Sequence, residues 1–206
     1  SIKNMQFDNT FSYCRGNIID FDKSSSGITG IFGRNRSGKS SIPGTMMYGL
    51  FNSSDRGSMK NLHVINTRKG HCEVKIHFSV DGNYYILERM SVKKSTKKGV
   101  DHAVTHLNLF KSDQNGNKLE DISEDQRRST EKTLRSLIGT YEDFLLTSFA
   151  SQGEMNAFIK MGATQRKETL SSFLALGIFN DLHSLANEES LGIKQDRKSG
   201  SAGMPR

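Results

Sequence analysis

Gly33-Arg34-Asn35-Arg36-Ser37-Gly38-Lys39-Ser40 is a complete G-x-x-x-x-G-K-[ST] match. Each fixed position has a physical reason, because backbone N–H groups must wrap a polyphosphate closely and larger side chains at the glycines obstruct that approach. Lys39 is expected to reach the β/γ-phosphates as a point charge and Ser40 to place its hydroxyl on Mg²⁺. A helix opening near Gly38 would aim its positive dipole end at the anion. The expected ligand is a nucleoside triphosphate. A chance match is the plain alternative, and the flanks argue against it. Ile28-Thr29-Gly30-Ile31-Phe32 reads as a buried strand ahead of the loop, and Ile42 to Phe51 reads as an apolar helix behind it.

Working outward, residues 1–30 read as two strands before the loop strand, marked by Met5, Phe7, Phe11, Ile18, Ile19 and Phe21. The loop helix should end at Asn52-Ser53-Ser54-Asp55, and Pro43 inside it predicts a kink costing roughly 3 kcal/mol. A meander follows. Val74, Ile76, Phe78 and Val80 alternate, Asp81-Gly82 turns the chain, and Tyr85 and Leu87 carry the rhythm into Arg89. Leu107 and Leu109 resume the alternation, and Asn115-Gly116 marks another turn. These antiparallel strands should form a sheet distinct from a parallel set carrying the loop.

Helices are expected over Ser123 to Ile138, with Gly139 as the stop, and over Tyr141 to about Phe149. A third should open with Thr164 as N-cap, turn Leu170, Phe173, Leu174 and Leu176 inward, and end at Gly177. From Ile178 a polar helix with Leu182 and Leu185 dissolves into a tail rich in Ser and Gly, expected to be disordered.

The chain has 206 residues, enough to bury a real core, with 34% hydrophobic and 25% charged residues. No apolar run approaches the roughly 18 to 20 residues of a membrane span, so no membrane association is expected. Cys14 and Cys72 are far apart and lack any C-x-x-C partner, which argues against both a disulfide framework and a zinc site. The setting expected is reducing and intracellular: cytoplasmic in a bacterial or phage-infected cell, nuclear in a eukaryote. The net charge of +7 favours a polyanionic partner. Lys93, Lys94, Lys97 and Lys98 concentrate that charge, either as a solvated hairpin tip or as a DNA contact. His102 and His106 have the spacing of a helical metal pair, but the alternation from Ala103 to Phe110 places them on a strand, which separates them.

Several segments together carry a resemblance. Ile18-Ile19-Asp20-Phe21 precedes the loop, and Tyr85-x-Leu87-x-Arg89 lies in the meander. Further on come Phe144-Leu145-Leu146-Thr147-Ser148-Phe149-Ala150-Ser151-Gln152-Gly153, then Phe158 and Gln165-Arg166-Lys167-Glu168. Over roughly residues 1–190 the chain resembles the N-terminal half of the ATPase head of SbcC-type DNA double-strand-break repair proteins. These are the SMC-like branch of the ABC ATPases, and the chain resembles in particular the phage recombination endonuclease subunit of that branch. The fold implied is α/β, a P-loop NTPase half-head of ABC type with an antiparallel β-meander and a helical lobe leading to the start of a coiled coil. Residues 1–122 would form the nucleotide-binding lobe, 123–190 the helical lobe with its Q-loop, and 191–206 a disordered tail.

The resemblance further implies that Gly33, Arg34, Asn35, Arg36, Ser37, Gly38, Lys39, Ser40 and Ser41 bind ATP. Gln152 would join Ser40 on Mg²⁺ and join Lys39 in catalysis by contacting the attacking water; an exposed helix-end glutamine is the plain alternative. An amide suits the role, since its oxygen ligates a cation and its nitrogen donates. Arg89 is open between phosphate or interdomain pairing and an ordinary surface position.

No Walker B Asp-Glu end and no Ser-Gly-Gly signature follow Gln152. In the family these lie in a C-terminal lobe of the same ATPase, beyond a coiled coil, and two heads sandwich two ATP molecules as a homodimer. The expected partners are therefore that lobe, a second head, an SbcD-type nuclease subunit and double-stranded DNA. The chain reads as the front half of such a head: a truncated chain, a split gene product or a degraded reading frame. Arg36 stands where the family has glycine, a departure that costs on the order of 1 kcal/mol if the position needs positive φ. A non-catalytic DNA-binding or assembly module with a decayed loop is thus the second reading. A small-molecule kinase is disfavoured by the meander directly after the loop helix.

Overall fold

The computed structural model describes residues 1–21, 29–53, 60–97, 99–148, 157–174, 176, 178–179, 182–187 and 189–190. They divide into two compact units, Ser1–Phe144 and Leu145–Arg206.

The first unit is built on a six-stranded sheet in the order β2-β1-β3-β4-β5-β6. Its strands are β1 (Ile2–Asp8), β2 (Asn17–Asp20), β3 (His71–Val80), β4 (Asn83–Ser95), β5 (Asp101–Ser112) and β6 (Lys118–Asp121). Every pairing is antiparallel. The long β3–β4 hairpin closes on Asp81 (φ 49°) and Gly82 (φ 79°), the two left-handed residues that a tight turn matched to strand twist requires. Alternation sends Cys72, Val74, Ile76 and Phe78 of β3 to the buried face, paired across with Ser91, Arg89, Leu87 and Tyr85 of β4. Thr105, Leu107 and Leu109 extend the same rows on β5.

Two helices cover that face: α1 (Ser41–Phe51) and α2 (Arg127–Ile138). α1 buries Met47, Tyr48, Leu50 and Phe51. Gly49 lets it approach β3: a Cβ there would stand 2.7 Å from Ile76 Cδ1 and 2.9 Å from Val74 Cγ1. α2 buries Leu134 completely, with Leu137 and Ile138 half-buried beside it, and stops at Gly139 (φ 81°). α3 (Tyr141–Thr147) follows, and the rings of its Tyr141 and Phe144 pack on Phe51. In the second unit lie α4 (Ala157–Lys160), α5 (Ala163–Phe173) and a helical stretch at 182–187.

Five expectations are corrected. Residues 29–32 form no strand, and Ile31 and Phe32 are exposed, Phe32 to 94%. A parallel strand needs neighbours on its flanks, and the sheet of the described residues is wholly antiparallel. Pro43 costs α1 no hydrogen bond: it is the third helical residue, where an N–H would have no intrahelical acceptor in any case, and the helix runs on through it to Phe51. α2 starts at Arg127 rather than Ser123, because the Ser123 hydroxyl is engaged at the sheet, where it accepts from Leu109 N at 2.9 Å. α5 starts at Ala163, which puts Thr164 inside its first turn rather than at the cap. Leu170, Leu174 and Leu176 are not inward but exposed, since an apolar helix stripe is buried only where a second layer covers it. The side chain of Phe173, Gly177 and residues 191–206 lie outside the described residues.

His102 and His106 sit on β5, as the alternation predicted. Among the described residues there is no cluster of His, Cys, Asp and Glu able to hold a metal ion, and no helix long and apolar enough to cross a membrane.

Candidate functional site

Gly33 to Ser40 form a tight turn that feeds directly into α1. Ser37 N donates to Arg34 O at 3.2 Å, Ser41 N to Gly38 O at 2.9 Å and Ile42 N to Lys39 O at 3.2 Å, so the chain curls before the helix begins. Two residues of the curl have left-handed backbone, Arg36 (φ 64°) and Gly38 (φ 93°). At Gly38 a side chain is excluded twice over, by that φ and because a Cβ would lie 2.9 Å from Ser12 Oγ and 3.3 Å from the Tyr13 ring. Arg36 adopts the conformation that glycine would take more readily, and its side chain is exposed.

Lys39 turns back into the curl. Its ammonium donates to Gly33 O and Arg34 O, both at 2.7 Å, and so stitches the first half of the loop to the helix start. Ser40 is the N-cap of α1, yet its hydroxyl makes no capping bond, which leaves the oxygen uncommitted to the helix. The loop therefore brings a cation held only by neutral carbonyls, a hydroxyl oxygen uncommitted to the helix and the positive end of the α1 dipole to one place. That donor set fits a polyphosphate with a hard divalent cation.

The loop rests on the turn between β1 and β2. The Tyr13 hydroxyl donates to Gly38 O at 3.2 Å, and Thr45 Oγ1 of α1 bonds both Thr10 Oγ1 (3.0 Å) and Ser41 O (2.8 Å). Asn66 Nδ2 in turn donates to Tyr13 O at 3.0 Å. These supports did not stand out in the sequence, where residues 1–30 read only as two strands ahead of the loop strand.

The other end of α1 is held differently. Arg89, left open by the sequence, is fully buried: its Nε donates to Gly49 O at 2.8 Å, and its guanidinium pairs with Glu131 Oε1 at 2.5 Å and Oε2 at 3.4 Å. Arg135 donates to Phe51 O at 2.8 Å, stacks over the Phe51 ring at 4.9 Å and lies 3.7 Å from Glu131. Burial, and the neighbouring Arg89 charge, lower the Arg135 pKa, while Glu131 opposes the shift. The signal that could have found Arg89 was the rhythm itself: Tyr85, Leu87 and Arg89 occupy alternate positions, so Arg89 had to face the core.

Beside it runs a chain of buried hydroxyls. Tyr48 Oη meets Ser91 Oγ at 2.6 Å, Ser91 Oγ meets Thr105 Oγ1 at 2.7 Å, and Asn61 Nδ2 donates to Thr105 Oγ1 (2.7 Å) and Asn52 Oδ1 (2.8 Å). Asn52 is the left-handed C-cap of α1 (φ 55°). Burial pushes the Tyr48 phenol well above its ordinary value and the Cys72 thiol up to about 11.

Of the predicted site residues, Gly33 to Ser41 share this one turn. Gln152 lies outside the described residues. Lys93, Lys94 and Lys97 are at the β4–β5 hairpin end, with Lys93 paired to Asp101 at 2.9 Å.

Residues 4–199 match the AAA-domain family, and the chain belongs to that family. Within it, the likeness to SbcC- and Rad50-type proteins holds along most of the chain. It is 31% identical over 200 residues to the probable exonuclease subunit 2 of Escherichia phage T5, covering 96% of this chain and 29% of that protein. A DNA double-strand break repair Rad50 ATPase of Thermoplasma volcanium is 26% identical over 84% of this chain and 18% of its own. The SbcC component of the Bacillus subtilis nuclease SbcCD is 25% identical over 82% of this chain and 15% of its own. The chain thus spans less than a third of the length of these relatives.

Proposed function

We propose that this chain binds ATP at the Gly33–Ser41 turn and serves as part of an SbcC/Rad50-type ATPase that acts on DNA ends in double-strand-break repair or recombination. The observation that carries the reading is the curled loop at the start of α1, with Lys39 folded into it and the Ser40 oxygen uncommitted. The loop amides and Lys39 would hold the phosphates. Mg²⁺ would sit on Ser40 and Gln152 and neutralise charge on the transferred phosphoryl group. Lys39 now spends its ammonium on two loop carbonyls, so ligand binding exchanges those neutral acceptors for anionic oxygens, which form stronger charge-assisted bonds.

Hydrolysis would require residues contributed from outside this chain, in the C-terminal lobe and across a pair of heads; by itself this half would bind nucleotide without efficient turnover. The work would be conformational. A closed two-head state with higher ATP affinity would gate an SbcD-type nuclease subunit and access of double-stranded DNA, and hydrolysis would release it. The relatives named above support this class of role, and the net charge of +7 suits a polyanionic partner.

The test is equilibrium binding of ATP with Mg²⁺ to the chain and to Lys39→Ala. The expected outcome is at least a tenfold loss of affinity in the variant; equal affinity sinks the assignment. Arg36 at positive φ is the observation that favours the second reading, a DNA-binding or assembly module whose loop no longer takes nucleotide. DNA binding that falls steeply with salt and ignores ATP would select it.

A further inference from the structure

We infer that Arg89, Glu131 and Arg135 are positioning residues that lock α2 to the far end of α1, so that a ligand-induced shift of the phosphate-loop helix is passed on to α2 and the first turn of α3. The inference rests on the proposed ATP site and adds the route by which occupancy of that site is felt elsewhere in the first unit.

The last carbonyls of a helix have no intrahelical donors and carry the negative end of its dipole. On α1 two of them are claimed by arginines from different elements: Gly49 O by Arg89 of β4 and Phe51 O by Arg135 of α2. A single carboxylate, Glu131 of α2, joins the two guanidinium groups. The Arg89 side chain is wholly out of water. A charge there is tolerated only while its partners stay in place, so the arrangement has sharp geometric tolerance. Sliding α1 by an ångström relative to α2 would break the Arg135–Phe51 bond and pull Gly49 O and Glu131 apart around Arg89, whereas a joint movement of the two helices keeps the Arg135–Phe51 bond and asks only the Arg89 head group, anchored on β4, to follow. An apolar contact of similar size would resist such sliding far less, because dispersion has no direction.

α1 is eleven residues long, a rod of about 16 Å with the loop at its head. Gly49 seats it on β3 without an intervening side chain. Beyond the clamp, the Phe51 ring lies between Arg135 on one hand and Tyr141 and Phe144 on the other, at 6.0 and 5.2 Å. A displacement that begins at Lys39 therefore reaches α2 through hydrogen bonds and α3 through rings.

Hydrogen exchange of the full chain with and without MgATP tests this. In the wild type, MgATP should slow exchange in the loop and α1 and also change it in α2. In the double variant Arg89→Met, Glu131→Leu, which replaces two of the three ions by apolar groups of similar size, the loop response should persist, with ATP affinity within about threefold, while the α2 response falls at least twofold, carried only by the remaining Arg135–Phe51 bond and contact. Arg135→Ala, at the partly exposed member, should weaken the α2 response in the same direction and serves if the double variant does not fold. A wild-type α2 that ignores MgATP while the loop responds overturns the inference, as does an undiminished α2 response in the variants. A wild-type loop that does not respond at all sinks the ATP site itself and the clamp's function with it.

Discussion

The two ends of α1 are built to opposite specifications. At its N-terminal end the loop is exposed, its lysine is parked on the loop's own carbonyls, and the lead-in residues Ile31 and Phe32 stand in water. At its C-terminal end two carbonyls are taken by arginines, and Tyr48 and Asn52 are tied into a buried chain of hydroxyls and amides. The difference shows where the fold invests stability and where it keeps groups exchangeable. A ligand site needs bonds that can be traded, and an anchor needs bonds whose loss is expensive.

Mutations should separate the two ends by magnitude. Arg89→Met removes the buried guanidinium and leaves Gly49 O and Glu131 without it; we expect a loss of about 3–5 kcal/mol in urea unfolding, as for other broken buried pairs. A loss under about 1 kcal/mol would mean that this end is not the anchor. Alkaline pH should weaken the same end. The folded pKa of Cys72 is raised, so its contribution is complete below the unfolded thiol value of about 8.5 and is lost as pH rises through about 11. Stability should fall across that window by on the order of 3 kcal/mol, and Cys72→Ala should flatten the slope.

Tyr48→Phe deletes one hydroxyl from the buried chain and should cost about 1–2 kcal/mol, read in the same unfolding assay. At the loop end the sign reverses. Arg36→Gly relieves a left-handed non-glycine residue, and after the extra chain entropy of glycine the net gain should be roughly 0.5 kcal/mol. Lys39→Ala should shift stability by no more than about 0.5 kcal/mol while changing ligand affinity most, since its two bonds are exposed.

Local chemistry made much of this fold legible before any coordinates. Asp81-Gly82 announced the β3–β4 hairpin, period-two apolar residues marked β3 and β5, and Gly139 marked the end of α2. The curl of Gly33 to Ser40 was equally open to reading, because glycine spacing expresses a backbone requirement. What escaped depended on partners distant in sequence. The rhythm of Tyr85 and Leu87 puts Arg89 on the core face, but its role there is unreadable until Glu131 and the Gly49 carbonyl are known to meet it. Residues 29–32 have the composition of a buried strand, but composition cannot supply a neighbouring strand. Leu170 and Leu174 have helical spacing, and spacing says nothing of whether a covering layer is present. Ser123 reads as a helix starter, and only the register of β5 reveals its use at Leu109.

Phe32 immediately precedes the first glycine of the loop, and its ring lies almost wholly in solvent. Covering such a ring is worth about 2 kcal/mol, and whatever covers it also pins the backbone on which Gly33 hinges. If the turn takes a phosphate as proposed, occupancy of that exposed ring and occupancy of the turn would be linked equilibria. A dissociation constant measured for this polypeptide by itself would then report a turn with a free-standing approach, and the same turn buttressed at Phe32 should bind the proposed anion more tightly.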